Sequence, residues 1–118
     1  MLSRKTAHQI AQDLPGVSEK EHFGGDGFYV NKRIFATLWR DKNEVNVRLS
    51  PEQQKAFVEK KAKAFSAVPN AFGRQGWTTI KLEFVDKKLF VQALTAAWEN
   101  SALKAPRVSR PRKIKRAR

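Results

Sequence analysis

Few side chains in this chain could do chemistry, and their types favour holding charge over making bonds. The two histidines, His8 and His22, stand at no metal-ligand spacing. A general base also needs an oriented partner within hydrogen-bond reach, which the sequence does not supply, so structural roles are expected for both. Ser3, Ser18, Ser50, Ser66, Ser101 and Ser109 lie in no nucleophile-elbow context. With no cysteine, disulfides, thiolate zinc sites and cysteine nucleophiles are excluded. The run Gly24-Gly25-Asp26-Gly27 leads into a strand and no GK[ST] follows it, so it reads as a hairpin turn and not a phosphate cradle. No catalytic residue, cofactor or metal site is expected, and no enzyme.

Cations are the abundant chemical resource. The net charge is +13, of which residues 104–118 hold +8 without one acid: Lys104, Arg107, Arg110, Arg112, Lys113, Lys115, Arg116 and Arg118. Pro106 and Pro111 and the lack of apolar periodicity mark this stretch as a disordered basic tail after a domain spanning 1–103. Such an arm attaches to any polyanion by releasing counterions, with affinity that falls steeply with salt, and it carries no base-reading geometry. A solvated, solubilising terminus is the plain alternative. Within the domain, Lys32, Arg33, Arg40, Lys42, Arg48, Arg74 and Lys81 fall on hairpin tips and on one side of the strands. Trp39 and Trp77 keep basic company there, a combination that can stack bases while pairing phosphates.

The elements that position these residues begin with Phe23 to Leu49, which reads as a β-meander. Its runs FYV, RIFATLW and EVNVRL are split by Asn31-Lys32 and Asp41-Lys42-Asn43, clusters of hairpin length. Val45, Val47 and Leu49 alternate with Asn46 and Arg48, as in a sheet covered on one side. Strict alternation puts either Phe35, Thr37 and Trp39 or Ile34, Ala36 and Leu38 on the open side, and the first set is expected there. Ser3 caps a first helix carrying Ala7, Ile10, Ala11 and Leu14, which Pro15-Gly16 stops. Val17 to Phe23 makes a short strand. Ser50-Pro51-Glu52-Gln53 is a capping box opening a helix to about Ala64, with Phe57, Val58, Ala62 and Phe65 on its apolar face. A mobile loop from Val68 to Gly76, the strand Trp77 to Phe84 and a helix from about Lys87 to Ser101 complete the domain. Phe28, Phe57, Phe65, Phe84 and Phe90 are expected in the core. The fold class is α+β, an antiparallel sheet with helices on one face in the order α-β-β-β-β-α-β-α.

One domain of this size can bury a core of its own. No apolar run approaches the roughly 20 residues of a membrane span, and MLSRKTAHQIAQDL has no signal-peptide core, so a cytoplasmic location is expected; the sequence does not fix the oligomeric state, and a monomer is favoured.

Several landmarks coincide in order and spacing: LPGV at Leu14 to Val17, Phe23-Gly24, F-x-V-x-K at Phe28 to Lys32 with IFATL after it, SPEQ at the second helix, Gly76-Trp77, and A-A-W at Ala96 to Trp98 with Lys104 beyond. Together they resemble the MmcQ/YjbR family over residues 3–105. The resemblance implies a frataxin-like, double-wing fold and a DNA-binding label that rests on fold-level argument. It also raises iron binding. Asp13, Glu19 and Glu21 are too scattered for a hard-cation ridge, and Arg4, Lys5 and Lys20 offset them. The expected function is therefore non-specific, salt-sensitive nucleic-acid binding. The alternative is a small-molecule or protein-binding module with a pocket near Trp39, Trp77 and the Val68 to Gly76 loop, the tail being incidental.

Overall fold

The computed structural model describes residues 2–22, 24–69 and 71–102. The Ser3 hydroxyl accepts the Thr6 amide and starts α1 (Arg4–Asp13), whose buried Ala7 and Ala11 let it lie close to the sheet. Then come β1 (Ser18–His22), β2 (Gly25–Val30), β3 (Arg33–Trp39), β4 (Glu44–Arg48), α2 (Pro51–Lys60), β5 (Phe65–Ala67), α3 (Ala71–Arg74), β6 (Trp77–Lys81) and α4 (Lys87–Ala102). The six strands form one antiparallel sheet in the order β1-β2-β3-β4-β6-β5. The expected α+β class and element order hold, with β5 and α3 as two short additions.

One face of the sheet carries the core. Phe28, Leu38, Val45, Val47 and Ile80 point into it and meet Ala7 and Ala11 of α1 and Phe90, Ala93, Leu94 and Ala97 of α4. Burying each large apolar side chain stabilises the fold by roughly 1.5–3 kcal/mol. In α4 Leu89, Phe90, Ala93, Leu94 and Ala97 form the buried stripe, and Asp86 caps the helix by accepting the Leu89 amide at 2.7 Å.

Four local expectations are corrected. The helix opened by the Ser50–Gln53 capping box ends at Lys60, not near Ala64. Phe65 is drawn into the sheet opposite Ile80, and a turn in which Ala64 and Phe65 donate to the Lys61 carbonyl breaks the helix beforehand. Second, the strand after Trp77 stops at Lys81. A turn closed by the Phe84 amide on the Lys81 carbonyl sends Leu82 and Val85 inward and leaves Phe84 39% exposed, so it is not a core residue. Third, where a mobile lip is expected at Val68 to Gly76, the described residues around Gly73 are tied to α2 and packed against Val68. Gln54 donates to the carbonyls of Gly73 and Trp77, and a Cβ on Gly73 would lie 1.8 Å from the Val68 carbonyl oxygen.

The fourth correction concerns β3. Phe28 pairs with Ala36 and Tyr29 with Ile34, so Phe35 is an extra residue, a bulge. Phe35 is fully buried in the core cluster beside Ala36 and Leu38, while Ile34, Thr37 and Trp39 take the other face. Neither strictly alternating set applies.

Candidate functional site

Strand alternation sorts charge between the two faces. In β1, Glu19 and Glu21 pair with Phe28 and Asp26 on the helix side, whereas Ser18, Lys20 and His22 pair with Tyr29, Gly27 and Gly25 on the open side. Glu19 is held there by His8 Nε2 at 3.0 Å and by Gln12 of α1, and Glu21 is 3.5 Å from the Arg40 guanidinium. Acids of the edge strand are thus turned to the helices. The open face keeps Lys20, Arg48 and Lys81, and Glu44 is the acid paired with Lys81.

Two glycines shape this face. A Cβ on Gly25 would lie 3.1 Å from Trp39 Cε3, and one on Gly27 would lie 3.1 Å from Tyr29 Cε1 and 3.3 Å from Ile34 Cδ1. Both rings therefore lean across the sheet into space that side chains would fill, the arrangement by which aromatics cover strand glycines. A lysine stands over each ring: Lys42 Nζ is 5.9 Å from the centre of Trp39, and Lys20 Nζ is 5.5 Å from that of Tyr29. Thr37, 3% exposed, lies beside Trp39 on β3, and next to it on β4 is Asn46, whose Oδ1 accepts the Thr79 hydroxyl at 2.8 Å. Tyr29 is a member of this face that residue type and spacing in the FYV run do not single out. Gly25 and Gly27 inside a strand were the signal that could have found it.

The expected phosphate-binding cations divide into three situations. Arg40 is engaged: its guanidinium donates to Asp26 at 3.0 Å and pairs with Glu21, and the hydrogen bond to Asp26 raises its pKa above the usual arginine value. Lys81 shares a cleft of about 370 Å³ with Glu44 and Glu83, so its field is offset. Among the described residues Lys32, Arg33, Lys42, Arg48 and Arg74 make no ion pair. Three of these converge at one end of the sheet: Lys32 in the β2–β3 turn, Arg33 next to it, and Arg48 across a cleft of about 170 Å³ that Ser50, Pro51, Gln75 and Asn100 also line. The last turn of α4 sits at this same end, because Asn31 donates to the Ala102 carbonyl at 2.8 Å and Asn100 to the Arg48 carbonyl at 3.2 Å. The eight cations from Lys104 to Arg118 lie outside the described residues, as does Phe23.

Trp39 and Trp77 do not adjoin. Trp39 pairs with Gly25 at one end of the face, and Trp77 pairs with Arg48 at the other, with β4 between their strands. Strand spacing puts them roughly 16 Å apart, too far to wall one compact pocket. Folding also brings together His8, Glu19 and Asp26, with ligand atoms within 4.8 Å of one another, which spacing in the chain concealed. The Arg40 guanidinium on Asp26 places a fixed positive charge against that cluster, which disfavours a cation there.

No helix among the described residues is long and apolar enough to cross a membrane. In fold the chain is similar to a Deinococcus radiodurans protein with the domain DUF419, at TM-score 0.71 and 16% identity over 83% of this chain and 77% of that one. No curated protein matches it. The family model described as YjbR matches residues 12–100, most of the described fold, and the chain belongs to the YjbR family.

Proposed function

We propose that this protein binds nucleic acid, most naturally DNA, through phosphate contacts, without catalysis and without reading sequence, as a cytoplasmic monomer. The observation that carries the reading is the meeting of Lys32, Arg33 and Arg48, unpaired among the described residues, with the end of α4, after which the sequence continues as the basic run of 104–118. The basic run follows Ala102 closely in sequence, so domain and run together can neutralise phosphates of one polyanion. Lys32 adds a second argument. It is held at φ 64, in the left-handed region that costs a side chain free energy, at a turn position where glycine is the usual choice. A charge kept at a position that favours glycine supports a use for that charge.

The test is binding of the full chain to duplex DNA alongside the double variant Arg33→Gln, Arg48→Gln. The reading expects weaker binding and a salt dependence shallower by about two counterions, one per contact removed. Equal binding and equal slope would assign the domain no part in the interaction.

A further inference from the structure

We propose that the open sheet face holds an unpaired strand of nucleic acid, with different bases stacked on Tyr29 and Trp39 and the flanking phosphates taken by Lys20 and Lys42. This rests on the phosphate-binding reading above and adds to it the form of nucleic acid preferred.

Position comes first. α1 and α4 pack on the other face of the central strands, so among the described residues no helix covers Tyr29, Trp39 or Thr37. The two rings lie on adjacent strands, with Trp39 in register with Gly25 and Tyr29 four residues further along β2. Strand geometry separates their backbone positions by about 14 Å, and both rings lean back over Gly25 and Gly27, so successive bases of one extended strand can stack on the two. Because they lean over Gly25 and Gly27, the rings lie along the sheet and do not project from it. A duplex keeps its bases stacked inside and would meet such rings only with its backbone. An unpaired strand can lay its bases on them.

Charge and hydrogen bonding fit the same occupant. The lysine above each ring is exposed, and an exposed ammonium–ring contact is weaker than a base–ring stack, so an arriving base displaces Lys20 or Lys42 into reach of the adjoining phosphate. Beside Thr37 the half-buried Asn46 uses its Oδ1 on the Thr79 hydroxyl, and its amide nitrogen donates to no group among the described residues. Covering two glycines accounts for where the rings sit. It leaves the Asn46 amide free to donate to the polar edge of a bound base.

The test compares the full chain's affinity for oligothymidylate with its affinity for the same strand annealed to oligodeoxyadenylate, at about 0.1 M salt. The single strand is expected to bind about tenfold more tightly. Tyr29→Leu and Trp39→Leu should each remove roughly tenfold of single-strand affinity and leave duplex affinity within about twofold, while Tyr29→Phe and Trp39→Phe retain it. Should the leucine variants fail to fold, the double variant Trp77→Phe, Trp98→Phe leaves Trp39 as the lone tryptophan. Its emission should be quenched by oligothymidylate and not by the duplex. Equal affinity for both forms with Trp39 emission unchanged would overturn the stacking proposal and leave the phosphate reading standing. Binding to neither form would overturn both.

Discussion

The side-chain amide of Asn31 donates to the backbone carbonyls of Ser101 at 3.4 Å and Ala102 at 2.8 Å, tying the β2–β3 turn to the last turn of α4. Helix ends leave carbonyls without intrahelical partners, and this asparagine satisfies two of them while adopting φ 54, a conformation asparagine tolerates better than most residues. Replacing it with glycine keeps the turn and removes the grip. Asn31→Gly is expected to cost about 1 kcal/mol in urea unfolding, and Asn31→Ala, which adds backbone strain, about 2 kcal/mol. Wild-type stability in both would show that the turn and the helix end are independent.

Lys32 sets stability against charge. Lys32→Gly should stabilise the fold by up to about 1 kcal/mol, because glycine fits φ 64 without penalty, and should weaken DNA binding by removing a phosphate contact. Opposite signs in a melting curve and a binding isotherm check this together. A destabilised glycine variant would mean that the lysine is not strained.

The bulge in β3 predicts unequal costs for neighbouring residues. Phe35→Ala should destabilise by roughly 3–5 kcal/mol as a cavity opens in the core, and Ile34→Ala, on the half-buried open face, by about 1 kcal/mol. Denaturant midpoints of the two variants decide it. A reversed order would restore simple alternation.

What was legible in the sequence follows from what periodicity can carry. The meander, the two helix caps and the extent of α4 each rest on local spacing and turn chemistry, and all are readable. The bulge was not, since a period of two has no mark for an inserted residue such as Phe35. Nor was the end of α2: Ala62, Lys63 and Ala64 favour helix, and only the distant pairing of Phe65 with Ile80 overrides them. The loss of Phe84 from the core has the same origin in a turn that alternation does not foresee. At the site, Trp39 and the cations could be named from residue type alone. Which cations were already neutralised depended on contacts between β1, β2 and the residue after β3, so Arg40 was grouped with Arg33 although Asp26 and Glu21 hold it.

That distinction is itself testable. Arg40→Gln should leave DNA affinity within about twofold, because its charge is already offset by two carboxylates, whereas Arg33→Gln and Arg48→Gln should each lower the salt slope by about one. Fluorescence anisotropy across a salt series separates them. An Arg40 effect as large as that of Arg33 would mean that the ion pair opens on binding.

The most direct measurement is the slope of log affinity against log salt for the full chain and for a chain ending at Leu103, on duplex and single-stranded DNA. The account predicts a linear fall for the full chain, on the order of 10³-fold between 50 and 200 mM salt, and a weaker but still salt-dependent interaction for the shorter chain. Absent binding, or binding indifferent to salt, would contradict it.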